Sequence, residues 1–266
     1  MSKKKRLDKA APKAIGGKVN IDKSIKVPQR DKIDFPLNIR MRDDLTENQK
    51  KLIDLILDKN TKLVFIDGPA GTSKTFVAIM AGLMLLNKHT VSDILYVRSI
   101  AESASKSLGS LPGTQEEKIM PFLMPMIEKL DELLPKDEVT RLVKEERVSG
   151  TPINYLRGAS FNARFILADE SQNLTKKELT TLVTRLGQFS KMVVAGDKEQ
   201  SDINGQSGFS HFFDLFNDEE SKANGIHCFA FTKDDIVRSG ILRYIIGRLE
   251  AHALASVKNE PMFPPK

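Results

Sequence analysis

Hydrophobic positions in this 266-residue chain alternate between two rhythms once residue 45 is passed. Short unbroken apolar runs predict buried β-strands at Leu63–Asp67, Asp93–Arg98, Phe165–Ala168, Met192–Ala195 and Ile226–Phe231, with a weaker one at Arg147–Gly150. Between them, apolar residues recur at three- and four-residue spacing, which predicts helices. Leu52, Ile53, Ile56 and Leu57 form one such face. Phe76, Ile79, Met80, Leu83 and Met84 form a second, and Leu179, Leu182, Val183 and Leu186 a third. Thr46 with Gln49, and Thr175 with Glu178, have capping-box spacing and open two of these helices. Ile119–Leu134 is helical in pattern, with a break or kink expected at Pro121 and Pro125. Asp137–Glu146 and Asp235–His252 read as two more helices, and Tyr155–Gly158 as a loop or helical turn. Phe209, Phe212, Phe213 and Phe216 make an i, i+3, i+4, i+7 stripe whose expected role is core packing rather than base stacking.

Strands alternating with helices imply an α/β fold: a mostly parallel sheet with helices on both faces. Ligands of such sheets bind beyond the carboxyl ends of the strands. Several chemistry-bearing segments fall there: Gly68–Thr75, Arg98, Asp169-Glu170, Gly196-Asp197 and Thr232. The first is the most informative. Gly68-Pro69-Ala70-Gly71-Thr72-Ser73-Lys74-Thr75 lies between a strand and a helix, the context of a phosphate-binding P-loop. Small residues let the backbone N–H groups curl around phosphate oxygens, and the helix N-terminus adds unpaired N–H groups and a positive dipole end. Lys74 would reach the β- and γ-phosphates, and the Thr75 hydroxyl would hold Mg²⁺. Ser73 replaces the second glycine of the pattern G-x-x-x-x-G-K-[ST]. It is harmless at negative φ and strained at positive φ.

Charge changes the picture at one end. Residues 1–42 carry 13 Lys/Arg against 4 Asp/Glu, leaving 28 against 31 for the rest of the chain. This stretch is poor in large apolar residues and is expected to be a disordered or loosely attached tail. A basic arm for phosphate backbones and a solubilising tail are equal readings of its charge. Residues 43–258 would then form the folded domain and 259–266 a short C-terminal tail. One cysteine, Cys228, excludes an internal disulfide and a cysteine-rich metal site, and four scattered histidines lack metal-ligand spacing. There is no membrane-length apolar run and no signal-peptide core, so a cytoplasmic protein is expected.

Two carboxylates follow the strand Phe165–Ala168. Asp169 suits Mg²⁺ coordination and Glu170 suits proton abstraction from water, although an Asp-Glu pair alone is equally well a solvated turn. Gln200, in Gly196–Gln200, is positioned to touch the γ-phosphate or orient water; a polar turn is its ordinary alternative. Arg98, Arg157, Arg185 and Arg238 lie near element ends, and the sequence does not select which of them meets the transition state.

At this point the motifs resemble a known family. GPAGTSKT (68–75), ILYVRSIAE (94–102), SLGSLPGTQEEKIMPFLMPM (107–126), INYLRGASFNARFILADESQN (153–173), TRLGQFSKMVVAGDKEQSD (184–202) and FTKDDIVRS (231–239) together resemble the PhoH family of P-loop ATPases, which is related to superfamily 1 helicase cores. The LGSLPG, YLRG and DESQN segments, in this order, carry most of the specificity. The resemblance implies a RecA-like fold that uses ATP and Mg²⁺. It implies that Gln49 reads adenine, that Asp169-Glu170 is a Walker B pair, and that Gly196-Asp197 with Gln200 is motif III. It implies a catalytic arginine at Arg238, with Arg185 placed to serve in trans. The compact form is similar to PhoH-like proteins encoded by phages, for which the compartment is the host cytoplasm.

The leading expectation is a Mg²⁺-dependent ATPase acting on, or stimulated by, RNA or single-stranded nucleic acid, and helicase-like. One half of a helicase cleft per chain calls for a neighbour, so a homo-oligomeric ring, a hexamer, is expected. A P-loop small-molecule kinase, and a nucleotide-binding regulatory module silenced at Ser73, are the alternatives.

Overall fold

The computed structural model describes residues 32–99, 115–156, 160–200, 203, 207–237 and 248. Six strands form one sheet: β1 (Leu63–Asp67), β2 (Asp93–Arg98), β3 (Val148–Pro152), β4 (Arg164–Asp169), β5 (Lys191–Gly196) and β6 (Ile226–Ala230). Their order is β3-β2-β4-β5-β1-β6, and every neighbouring pair is parallel. The helices are α1 (Glu47–Leu57), α2 (Lys74–Asn87), α3 (Gln115–Leu133), α4 (Lys136–Lys144), α5 (Lys176–Val183), α6 (Phe209–Leu215) and α7 (Glu219–Ala223). This is the expected α/β architecture, a parallel sheet with helices packed on both faces.

The unbroken apolar runs exist because both faces of the sheet are covered. Val64, Ile66, Ile94, Tyr96, Phe165, Leu167, Val193 and Ala195 join one core with α1, α2, α3 and α4. The alternate residues Leu63, Phe65, Leu95, Val97, Ile166, Ala168, Met192 and Val194 join a second core with α5 and α6. The phenylalanine stripe packs in this second core, where the rings of Phe65 and Phe216 stack at 5.6 Å. Both capping boxes form as the spacing predicts. Among the described residues no helix is long and apolar enough to cross a membrane.

Three local expectations are corrected. Packing begins well before residue 45: Ile33 and Leu37 are buried in the first core, and the Glu138 carboxylate accepts from both the backbone and side-chain amides of Asn38. Two apolar anchors and one carboxylate suffice to fix a segment whose composition looks like tail. Residues 1–31 and 259–266 lie outside the described residues. Second, of the break or kink expected at Pro121 and Pro125, the break does not occur: α3 runs through both as one element. Each proline removes one helix hydrogen bond at a cost of about 3 kcal/mol. The two are four residues apart, so the loss falls on one stripe, while Leu123, Met126, Leu130 and Leu133 bury the opposite need against the core. Third, no helix begins at Asp235. Lys233–Asp235 is a single 3₁₀ turn, capped by Asp235 back onto Thr232, and Ile236 leaves it with extended backbone. The remainder of that expected helix is outside the described residues, apart from Arg248.

Candidate active site

A cavity of about 370 Å³ opens at the carboxyl end of the sheet, where the P-loop, β4 and β5 end side by side. Ala70, Gly71, Ser73, Lys74 and Thr75 line it from the P-loop, Asp169, Glu170 and Gln172 from the end of β4, and Gly196, Asp197 and Gln200 from the end of β5. Gly68, Pro69 and Thr72 shape the loop from behind. A Cβ on Gly68 would stand 2.7 Å from the Phe231 Cβ, so the loop closes against β6 only with glycine there. The Thr72 hydroxyl donates to the Pro69 carbonyl at 2.9 Å.

Ser73 caps α2 in the left-handed region, at φ 63° and ψ 28°, and its side chain makes no capping hydrogen bond. The strained alternative is therefore the one adopted, and the helix begins from it with Val77 N–H donating to the Ser73 carbonyl at 2.9 Å. Glu170 is also left-handed, at φ 50°. Two strained residues thus face one cavity, the usual placement of such conformations.

Lys74 fills the middle of the loop, its ammonium donating to the carbonyls of Gly68 and Pro69. Burial pulls its pKa below the ordinary lysine value, against the opposing pull of Asp197, Asp169, Glu170 and Asp67. Asp169 is 6% exposed, and each of its oxygens is held. The Thr75 hydroxyl donates to Oδ1 at 2.9 Å and the Tyr96 hydroxyl donates to Oδ2 at 2.7 Å. Tyr96 sits two residues before Arg98, which pairs in register with Asp169, so its ring lies on the same face and reaches up to the carboxylate. Burial, then the Asp169 charge, pushes the Tyr96 phenol far above its usual range, so it remains a donor. Two hard oxygen ligands converging at a phosphate loop are a donor set that fits Mg²⁺, which takes one or two protein oxygens and completes its shell with water and phosphate. Among the described residues there is no cluster of three or more His, Cys, Asp or Glu suited to a protein-only metal site.

Glu170 sits beside this pair with its side chain 41% exposed, and Arg98 Nη2 lies 3.9 Å from Oε1. Gln172 is the connector that sequence reasoning missed. Its Nε2 donates to Glu170 Oε2 at 2.6 Å, and its Oε1 accepts from the Asp197 N–H at 3.2 Å. It therefore ties the end of β4 to the end of β5. Its place in the DESQN segment was the signal available in the sequence, and the partners at both ends of its amide follow once it is buried. Tyr96 had a signal of its own: one phenol within an otherwise apolar strand needs a partner. Burial raises the pKa of the Asp197 carboxyl, which accepts from the Glu199 N–H at 2.9 Å.

Not every expected residue reaches the cavity. Gln49 is 2% exposed and does not line it. Its Oε1 accepts from the Thr46 N–H at 3.0 Å and its Nε2 donates to the Thr72 carbonyl at 3.1 Å, so it braces the P-loop from below. Arg185 is in the turn after α5 and does not line the cavity. Arg157 and Arg238 lie outside the described residues. Val237, the residue before Arg238, does line the cavity, and its N–H donates to the Gly71 carbonyl at 3.2 Å. Asp235 holds this segment onto α1, accepting from the Asn48 amide at 2.9 Å. Arg42, which was assigned to the tail, also lines the cavity.

The PhoH family profile, described as "PhoH-like protein", matches residues 42–250. A PhoH-like protein of Mycobacterium tuberculosis (strain ATCC 25618 / H37Rv) is 37% identical over 203 residues, 76% of this chain and 56% of the relative. A PhoH-like protein of Bacillus subtilis (strain 168) is 32% identical over 188 residues, 71% of this chain and 58% of the relative. The same organism's protein PhoH2 is 36% identical over 158 residues, 58% and 36% of the two chains. The chain thus spans just over half the length of the PhoH-like proteins it matches. Among solved structures, the Sulfolobus solfataricus SWI2/SNF2 ATPase core in complex with dsDNA superposes with a TM-score of 0.43 at 15% identity, covering 75% of this chain and 46% of that one. The family match over most of the folded region, together with the P-loop and its paired carboxylates, establishes that the chain belongs to the PhoH family.

Proposed function

We propose that this chain hydrolyses ATP with Mg²⁺, and that hydrolysis is coupled to RNA or single-stranded nucleic acid. One observation carries the reading: Lys74, the Thr75–Asp169 pair and the Glu170–Gln172–Asp197 chain of hydrogen bonds surround a single cavity. Lys74 and the N-terminal N–H groups of α2 hold the phosphates. Thr75 and Asp169 hold Mg²⁺, which when bound neutralises charge on the phosphate oxygens. Glu170 accepts a proton from the attacking water, and Gln172 fixes the direction in which its carboxylate points. Gln200 faces the same space and orients that water or the terminal phosphate. With the paired carboxylates in place, water is a better acceptor than a small-molecule hydroxyl, which disfavours the kinase alternative.

Nucleic-acid coupling is supported by the family and by the basic N-terminal residues. A ring, read as a hexamer, follows from the half-site in each chain, with Arg238 or Arg185 supplying the transition-state charge. Gln49 in its adenine-reading role would have to exchange its bond to Thr72 for one to the base. A cytoplasmic site of action fits a nucleotide-dependent reaction.

Phosphate release from ATP, with and without single-stranded RNA, tests the assignment. Lys74→Ala should abolish release while the protein still unfolds cooperatively, its midpoint lowered only by loss of the ammonium's bonds to the Gly68 and Pro69 carbonyls. Hydrolysis at the wild-type rate in Lys74→Ala would overturn it.

A further inference from the structure

The Asp169 carboxylate is held from two different elements. Asp169 ends β4, and its partner in register on β2 is Arg98. Two residues back along β2, Tyr96 pairs with Leu167, so the Tyr96 and Asp169 side chains rise on one face of the sheet. The Tyr96 ring is fully buried in the first core and does not line the cavity. Its hydroxyl donates to Oδ2 at 2.7 Å. Thr75, in the first turn of α2, donates to Oδ1 at 2.9 Å from the cavity side. The carboxylate is thereby clamped about its last torsion, with one oxygen turned to the core and the other to the phosphate loop. A phenylalanine would place the same ring in the core without a hydroxyl, and a buried hydroxyl costs free energy unless it is bonded. Here that hydroxyl is committed to the one buried carboxylate that faces the cavity beside Thr75.

We propose that Tyr96 is a positioning residue that keeps Asp169 a one-oxygen ligand and so selects Mg²⁺ over Ca²⁺. The inference rests on the Mg²⁺-nucleotide reading above. Ca²⁺ takes about six to eight oxygens in flexible geometry and often both oxygens of one carboxylate, whereas Mg²⁺ demands a near-octahedral shell and few protein oxygens. With Oδ2 bonded to the buried phenol, Asp169 offers a cation only Oδ1, the oxygen it shares with Thr75. The same bond fixes the plane of the carboxylate, which matters more to the smaller, stricter ion. Additional oxygens for Ca²⁺ are scarce here. Glu170 is bonded to Gln172, and among the described residues no cluster of three or more His, Cys, Asp or Glu could hold a metal ion.

The experiment measures binding of a fluorescent ATP analogue to the full chain as its Mg²⁺ complex, as its Ca²⁺ complex and in EDTA, so it reads affinity and not turnover. Affinity in EDTA shows that each variant is folded with its phosphate loop intact. Wild type should prefer the Mg²⁺ complex. Tyr96→Phe should weaken the Mg²⁺ complex by about tenfold, the lower end for losing a hydrogen-bond partner behind a metal ligand. It should leave the Ca²⁺ complex unchanged or tighter, and the EDTA affinity unchanged. A hydroxyl with a merely structural role would lower stability without moving the Mg²⁺/Ca²⁺ ratio, so an unchanged ratio in Tyr96→Phe would overturn the proposal. Equal affinity of wild type for the two complexes would overturn it without any variant. Asp169→Asn tests the reading underneath: it should weaken the Mg²⁺ complex at least as much as Tyr96→Phe. A Mg²⁺ complex bound at wild-type affinity by Asp169→Asn would overturn Asp169 as a ligand, and not only the part assigned to Tyr96.

Discussion

Replacing Ser73 with glycine tests how the P-loop is built. Ser73 holds φ 63° and ψ 28°, and its hydroxyl caps nothing. A left-handed backbone costs an L-residue roughly 1–2 kcal/mol, and glycine removes that cost. Glycine also gives the unfolded chain more freedom, worth about 0.5–1 kcal/mol in the other direction. The expected net gain for Ser73→Gly is about 0.5–1 kcal/mol. For a folded region of this size, that raises the midpoint of thermal unfolding by about 1–4 °C. Ser73→Ala separates backbone strain from hydroxyl chemistry, since it keeps Cβ and loses only Oγ. It should lie within about 0.5 kcal/mol of wild type. Calorimetry of the three proteins gives the comparison, and phosphate release measured alongside should show the glycine variant turning over at least as fast as wild type. A glycine variant less stable than wild type would refute the strain argument. An alanine variant weakened by more than about 1 kcal/mol would show that the hydroxyl has a structural partner.

Three further outcomes are expected. Deleting residues 2–31 should leave stability unchanged and, if the basic residues bind phosphate backbones, lower RNA affinity and flatten its salt dependence; deleting 2–40 should also destabilise the protein, by at most about 3–6 kcal/mol for Ile33 and Leu37, and equal unfolding curves for the two deletions would refute the packing described. Tyr96→Phe preserves the buried ring but removes a hydrogen bond to a charged carboxylate, so urea unfolding should show a loss of about 1.5–3 kcal/mol, whereas no loss would mean the bond contributes nothing. Mixing an Arg238→Ala chain with a Lys74→Ala chain should restore partial ATPase activity in a ring with trans arginines, because one interface then joins an intact loop to an intact arginine; no recovery after demonstrated subunit exchange would place the arginine in cis.

Most of the sheet was legible because each strand is buried on both faces and reads as an apolar run. The same pattern carried the site, since the P-loop, Asp169 and Asp197 each follow a strand end. What the sequence hid depends on distance along the chain. Gln172 and Tyr96 matter through partners on neighbouring strands, and register, not local pattern, brings them together. Arg42 looked like tail because Ile33 and Leu37 are too sparse to form a periodic face, yet each finds a buried place on the core. The prolines of α3 failed as breakers because packing of its apolar face outweighs two missing hydrogen bonds. The boundary near Asp235 was misread because Thr232 and Asp235 cap a single turn with the same chemistry that opens a longer helix.

The most direct test of the account is the fate of ATP on Glu170→Gln. The glutamine keeps the shape of the side chain and can still accept from Gln172, but it no longer takes a proton from water. Bound nucleotide and released phosphate should be measured on the same sample with Mg²⁺. The account predicts ATP retained at wild-type affinity and hydrolysis slowed by roughly 10²–10⁴-fold, the range of a lost general base. Hydrolysis at the wild-type rate with ATP bound would contradict it.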